Sequence, residues 1–353
     1  MSLIQKLKKN STIKDTEILF SSKFFNKKDM ISTSVPAINV ALSGRLDGGF
    51  VPGITMWAGP SKHFKSLFSL LMAKAYLDKY EDAVMLFYDS EFGTPINYFE
   101  TFGIDMKRVI HTPVKDVEEL KFDIMNQLKD IERGERVMII IDSIGNLASK
   151  KEVEDALDQK AVADMTRAKQ IKSLFRMVTP HLTLKDIPMV VVNHTYKTME
   201  LYAKDVVGGG TGSYYSADTI FILGRQQEKD GTEVTGYNFI INVEKSRYVK
   251  ERSKIPISVS FDDGLSRWSG LLDMAIESGH VVKPSNGWYS RVDSKTGEVE
   301  DKKFRMDDTD SKDFWLPILT DASFGEFVRN KYSVGNMEIL GADEDPDEED
   351  TNA

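Results

Sequence analysis

An α/β fold with a mostly parallel central sheet flanked by helices is predicted by three features of the sequence. Short apolar, β-rich runs such as VMIII and PMVVVN recur along the chain. Stretches of helical periodicity separate them. Buried strands joined by crossover helices imply a largely parallel sheet covered on both faces.

Taken in order, residues 1–34 read as a small N-terminal cap, with LIQKLKKN as an amphipathic helix and SKFFNKKDMISTS as a loop or short strand. From Pro36 onward, strands are expected at 54–58, 84–88, 108–111, 137–141, 188–193, 219–224, 239–245 and 257–261. Helices are expected at 66–80, 95–102, 116–133, 159–181 and 269–278. The last strands have no helices between them and should form antiparallel hairpins that extend the sheet. A core over 35–270 follows. Beyond it the composition changes, and the segment 293–313 is too polar to bury anything, so a long loop is expected. Aromatic residues return in FWLPIL and FGEFVRNKY, which suggests a small C-terminal domain over 271–340 and a disordered acidic tail over 341–353.

The 353 residues suit two domains, or one large domain with appendages, at roughly 150 residues per domain. With 41% hydrophobic and 29% charged residues, a packed core is within reach and global disorder is excluded. No apolar run approaches the roughly 20 residues of a membrane helix, and MSLIQKLKKNS lacks the apolar centre of a secretory signal. The absence of cysteine excludes disulfides, thiol nucleophiles and cysteine-based zinc sites. The five histidines, 63, 111, 181, 194 and 280, never fall at a metal-ligand spacing. A reducing, cytoplasmic setting is expected. The formal charge is −9, but ADEDPDEEDTNA holds seven acids and no base, which leaves −2 on the rest. Net charge therefore decides nothing about nucleic acid.

Chemistry concentrates at three points. In ITMWAGPSKHFKSLFSLLMAKAY a buried strand runs into Gly59, a short loop, then Lys65 and Ser66 opening a helix. That is the context of a phosphate-binding loop, whose amides and helix N-terminus face the phosphates while lysine reaches them and the hydroxyl holds Mg²⁺. The pattern holds through Gly59, Pro60, Ser61, Lys62, His63, Lys65 and Ser66, but Phe64 stands where a second glycine belongs. An ordinary strand–turn–helix remains open on this motif alone. Second, ERVMIIIDSIGN ends a buried run on Asp142, where a carboxylate orders a Mg²⁺ shell; a solubilising turn aspartate is the plainer alternative. Third, Glu91 in VMLFYDSEFGTPINY lies just past a strand, where a carboxylate polarises water, or where a helix start favours an acid.

Together the segments GPSKHFKS, YDSEFG, IIIDSIGNLASKKEVEDA, VNHTY, VVGGGTGSYYSAD and NVEKSRYVKERSK resemble the UvsX-type recombinases of T-even-like bacteriophages, relatives of bacterial RecA. The resemblance runs from about residue 20 to 290, and phenylalanine in the phosphate loop is a feature of that subfamily. Beyond 290 the match is poor. The resemblance implies a RecA-type core, and an N-terminal segment that serves oligomerisation. Lys65 and Ser66 would hold phosphate and Mg²⁺, Asp142 would support the metal, Glu91 would activate water, and Tyr98 would stack on adenine. His194 takes the place of the RecA glutamine that senses the γ-phosphate; a histidine satisfied locally at a strand end is the plainer reading. Lys245 and Arg247 match the basic pair that RecA inserts onto a neighbour's γ-phosphate.

The two DNA-facing loops of the family map to about 146–160 and 195–213. In the second, Lys197, Lys204 and the amides of Gly208, Gly209 and Gly210 suit a nucleic-acid backbone, and Met199, Leu201 or Tyr202 suit wedging between bases. Arg167 and Lys169 are candidate phosphate contacts, with a solvated basic face as the alternative. The implied function is ATP- and Mg²⁺-dependent assembly into a helical filament on single-stranded DNA, pairing with duplex DNA, and strand exchange. A single-strand-binding protein and a recombination mediator are the implied partners. The alternative is a hexameric RecA-fold helicase or motor.

Overall fold

The computed structural model describes residues 1–22, 24, 29–158, 165–199, 203–262 and 264–335. Helix α1 (Leu3–Asn10) is capped by Ser2, whose hydroxyl accepts from the Gln5 N–H, and buries none of its residues. Helix α2 (Pro36–Ser43), absent from the predicted set, starts on proline and ends on Gly44 in the left-handed conformation that closes helices. Strand and helix then alternate through β1 (Gly53–Ala58), α3 (Lys65–Lys79), β2 (Val84–Asp89), α4 (Ile96–Thr101), β3 (Val109–Pro113), α5 (Val117–Asp130) and β4 (Val137–Asp142). Helices α6 (Lys150–Leu157) and α7 (Thr166–Lys185) lead to β5 (Pro188–Asn193). A small hairpin, β6 (Thr195–Lys197) and β7 (Asp205–Val207), precedes the short helix α8 (Thr211–Ser216). Strands β8 (Thr219–Asp230), β9 (Glu233–Lys245), β10 (Lys254–Ser260) and β11 (Gly264–Leu265) follow, then α9 (Leu271–Glu277), the hairpin β12 (Val281–Ser285) and β13 (Trp288–Arg291), and helices α10 (Lys312–Thr320) and α11 (Ala322–Tyr332).

Among the described residues one large sheet has the order β11-β10-β9-β8-β1-β5-β4-β2-β3. From β8 to β3 the neighbours are parallel, and from β8 to β11 they are antiparallel. All the parallel strands therefore point their carboxyl ends to one edge, where ligands bind in open α/β sheets.

Successive side chains of a strand face opposite sides, and the two sides hold two cores. Trp57, Phe87, Ile140, Val190 and Phe221 face α2, α3 and the C-terminal elements. Met56, Leu86, Ile141, Val191 and Ile222 face α5 and α7. Trp57 is clasped by Phe68 and Phe221, with ring centroids 5.0 and 4.4 Å away. Apolar residues of the C-terminal segment, including Phe314, Phe324 and Val328, join the first of these cores.

Three expectations are corrected. The helix expected at 159–181 begins at Thr166 and runs to Lys185, where Asp186 turns left-handed at φ 58°; residues 159–164 lie outside the described set. The strands expected at 219–224 and 239–245 extend into one long hairpin of mixed polarity, because past the core only one face needs covering. The segment 293–313 does bury side chains: Phe304 and Thr309 are each 5% exposed. Phe304 bridges Tyr289 and packs on Phe314 at 4.9 Å, so one aromatic anchors a charged stretch most of whose residues face solvent.

Candidate active site

The turn after β1 delivers Gly59 to the carboxyl edge, where a Cβ would meet the Leu223 carbonyl oxygen at 3.2 Å. Glycine lets the loop leave the sheet this close to β8. The loop then enters α3 through Phe64, which offers no capping side chain. The first amides of α3 are left for a ligand, and the helix dipole favours an anion there. Lys65 Nζ meanwhile donates to the Pro60 carbonyl at 2.8 Å, and burial pushes its pKa down.

Ser66 Oγ donates to Asp142 Oδ2 at 2.6 Å, and Thr94 Oγ1 donates to the same oxygen at 3.2 Å. The other oxygen, Asp142 Oδ1, is buried without a partner. Burial raises the Asp142 pKa above the ordinary aspartate value, against the bond from Ser66. An unpartnered buried carboxylate oxygen beside a hydroxyl is a hard-oxygen donor set that fits Mg²⁺. No group of three or more His, Cys, Asp or Glu able to hold a metal exists among the described residues. Two protein oxygens fit an ion that also draws on phosphates, as Mg²⁺ commonly does.

Glu91 sits on a tight turn after β2, where Asp89 Oδ1 accepts from the Glu91 and Phe92 amides at 3.1 and 2.7 Å. His194 Nε2 lies 2.7 Å from Glu91 Oε1, and Ser143 Oγ donates to that same oxygen. The bond from His194, with help from Ser143, holds the Glu91 carboxyl below its ordinary value against partial burial. Ser143 is itself fixed by Ser90, whose Oγ donates to the Ser143 carbonyl at 2.6 Å. Lys65, Ser66, Glu91, Thr94 and Asp142 line a cleft of about 440 Å³ that also includes His63, Phe64 and Tyr98. The structure thus brings together Lys65, Ser66, Glu91, Tyr98 and Asp142, with His194 bonded to Glu91.

His194 also begins the hairpin. The Asn193 side chain accepts from the His194 amide at 2.8 Å and donates to the Gly208 carbonyl at 2.9 Å. The Gly208 amide donates to the His194 carbonyl at 2.8 Å, so it is already engaged and is not one of the free amides the sequence reading assigns to DNA. Gly209 and Gly210 have φ of +85° and +76°, which glycine alone adopts without strain. Lys197 pairs with Asp205 at 2.8 Å, while Lys204 and Met199 are exposed. Leu201 and Tyr202 lie outside the described residues.

Two further expectations meet corrections. Arg167 does not present a free guanidinium, because it donates to the carbonyls of Leu147, Ile144 and Gly145 at 2.6, 3.0 and 2.8 Å. It braces the turn after β4; Lys169 remains exposed. The stretch 146–160 is not all loop, since α6 forms within it behind a reciprocal Ser149–Glu152 cap.

Lys245 and Arg247 stand elsewhere. Lys245 Nζ donates to the carbonyls of Tyr214, Tyr215 and Ala217 at the end of α8, at 2.9, 3.2 and 2.6 Å. Arg247 pairs with Asp218 at 2.8 Å, and Asp218 also accepts from the Ile54 amide at 2.9 Å. Ile54 precedes Gly59 by five strand residues, about 16 Å at the usual rise. The two cations therefore occupy the edge of the sheet opposite the 59–66 loop of their own chain.

A family model of the RecA N-terminal domain matches residues 4–266. The chain belongs to the RecA family. The model of the C-terminal domain of the bacteriophage T4 recombination and repair protein matches residues 268–328. That T4 protein is 53% identical over 350 residues, covering 97% of this chain and 90% of its own length. Protein RecA of Bacteroides thetaiotaomicron is 27% identical over 77% of this chain and 81% of its own. Protein RecA of Streptomyces venezuelae is 25% identical over 81% and 74% respectively.

Within this RecA-family core, Ser90, Thr94, Ser143, Asn193 and Asp218 all touch candidate site residues and escape the sequence reading. Ser90, Ser143, Asn193 and Asp218 are polar residues at or beside a strand terminus and Thr94 lies just before α4, and that is the only signal the sequence carries for them.

Proposed function

We propose that this RecA-family chain is a DNA recombinase with a DNA-dependent ATPase, whose subunits bind ATP and Mg²⁺ and assemble into a filament on single-stranded DNA. The observation that carries the reading is the placement of two half-sites on opposite edges of one sheet. The phosphate loop lies at the carboxyl edge, and Lys245 and Arg247 lie about 16 Å back along the strands. A chain with such halves completes a site only by contact with a second copy, and repetition of a head-to-tail contact builds a filament or ring.

In this reading the first amides of α3 and Lys65 receive the β- and γ-phosphates, and Tyr98 stacks on the adenine. Ser66 and Asp142 hold the Mg²⁺, which when bound neutralises phosphate charge. Glu91, kept ionised by His194 and Ser143, orients the attacking water. His194 couples that carboxylate to the hairpin 195–207, so that DNA at the hairpin and the γ-phosphate act on the same residue. Lys245 and Arg247 leave their contacts with α8 and Asp218 to stabilise charge on a neighbour's phosphates, as arginine fingers do. Lys204, Lys197, Lys169 and the amides of Gly209 and Gly210 contact the DNA backbone. A single-strand-binding protein and a mediator complete the set of partners, on family resemblance.

The test is a DNA-stimulated ATPase assay paired with electron microscopy on single-stranded DNA. Stimulated hydrolysis with open helical filaments is the expected outcome. A closed six-membered ring would replace the recombinase with a motor.

A further inference from the structure

We propose that Arg225 and Tyr237 are positioning residues of the nucleotide site. With Phe239, they hold the phosphate loop in a backbone conformation that its own sequence disfavours. The inference rests on the reading of residues 59–66 as a nucleotide-binding loop.

Two non-glycine residues of the loop lie in the left-handed region, Lys62 at φ 59° and Phe64 at φ 54°. There the Cβ crowds the backbone, so residues other than Gly, Asn and Asp rarely adopt it. Phe64 occupies the position where the phosphate-loop pattern calls for glycine. Something outside the loop must hold these two residues.

The β8–β9 hairpin supplies it. From β8, Arg225 Nη1 donates to the carbonyl of Lys62 at 2.9 Å. Its guanidinium lies over the ring of Tyr237 on β9, 4.5 Å from the centroid. From β9, the fully buried Phe239 packs against Phe64 at 4.9 Å and against Tyr237 at 6.0 Å. One left-handed residue is thus fixed through its carbonyl and the other through its side chain, both to the same hairpin. Glycine at 64 would adopt the conformation freely, but it would not be anchored. In this chain anchoring replaces freedom. Arg225 and Tyr237 also line the cleft itself, and a Phe64→Gly background separates an effect carried by the loop from a direct contact with the ligand.

The test measures affinity for a fluorescent ATP analogue with Mg²⁺ and without DNA, which removes any contribution of Arg225 to DNA contact. Arg225 is exposed, so its replacement leaves the fold intact. Arg225→Ala should weaken binding about fivefold, the worth of one ordinary hydrogen bond. Tyr237→Ala should lose about as much, Tyr237→Phe almost nothing, and the double alanine variant no more than either single one, since the pair acts as a unit. In a Phe64→Gly background, Arg225→Ala should lose less than twofold, because glycine needs no brace. With DNA present, the change should fall on KM for ATP, with kcat held. Unchanged affinity of Arg225→Ala beside a wild type that binds the analogue would overturn the brace. So would losses that multiply in the double variant. A wild type that fails to bind the analogue sinks the nucleotide reading itself.

Discussion

Lys65 and Glu91 share one cleft, and under the proposed roles, one binding and the other activating, their loss should read differently. Lys65→Ala removes the point charge at the β- and γ-phosphates, and ATP turnover should fall by about 10²–10³ or more. Full turnover by this variant in a steady-state assay would dismiss the phosphate-loop assignment. Glu91→Gln keeps the shape and the bond from Ser143 but cannot take a proton. Hydrolysis should drop by about 10²–10⁴ while ATP still binds and DNA-bound filaments persist. Loss of ATP binding in a direct titration would make Glu91 structural. The contact between His194 and Glu91 also sets a pH dependence. Hydrogen bonds from His194 and Ser143 depress the Glu91 pKa, so the base stays ionised to lower pH than an ordinary glutamate. Removing the larger donor by His194→Ala lets the pKa rise, so the acid limb of the kcat–pH profile should move to higher pH. An acid limb that stays in place would mean that His194 does not tune the base.

At the scale of elements, the direction of β9 matters more than any one contact. Because β9 is antiparallel to β8, its carboxyl end carries Lys245 to the edge away from the loop after β1. Lys245→Ala or Arg247→Ala should therefore leave ATP binding by a lone subunit nearly intact and lower DNA-stimulated hydrolysis. Either variant mixed with Lys65→Ala subunits should regain activity, since some interfaces pair an intact loop with a neighbour's intact cations. Absence of recovery at every ratio, with co-assembly verified, would place the action of the cations within one chain. Element α8 adds a link: its last carbonyls grip Lys245, and its first residue follows the glycines of the hairpin. Six helical residues thus join the glycines after the hairpin to the carbonyls that hold Lys245.

For the whole molecule the remaining question is self-association and its charge. Helix α1 exposes Leu3, Ile4 and Leu7, an apolar face that nothing in its own chain covers among the described residues. Aspartate at Leu3 and Leu7 should lower self-association by sedimentation while leaving the melting of the core unchanged. Unaltered assembly would release the N-terminal segment from that role. Residues 342–353 hold seven acids, and their removal takes the formal charge from −9 to −2. An acidic segment competes with DNA phosphates for basic loops, so truncation should tighten duplex binding most at low salt. Each freed phosphate contact on a single strand should steepen the slope of log affinity against log salt by about 0.7. Equal affinities and slopes for both proteins would leave the tail as a solubilising device.

The sequence by itself determined the alternating α/β core, the helix start that carries Lys65, the strand ends near Glu91 and Asp142, and the direction of the antiparallel extension. Those features are written in local pattern, since a buried strand must be apolar and a phosphate loop must open a helix. It did not disclose α2, the helix α6 inside an expected loop, or the burial of Phe304 within a charged stretch. Nor did it separate Arg167, spent on three carbonyls, from the exposed Lys169. Only the tertiary structure decided that Ser143, Asn193, Asp218 and Arg225 touch candidate site residues, and that Lys245 and Arg247 lie across the sheet from the 59–66 loop of their own chain. A hydrogen bond such as Arg225 to Lys62 joins residues 163 apart in the chain. No local pattern encodes a partner at that distance; packing of strands in a particular order does.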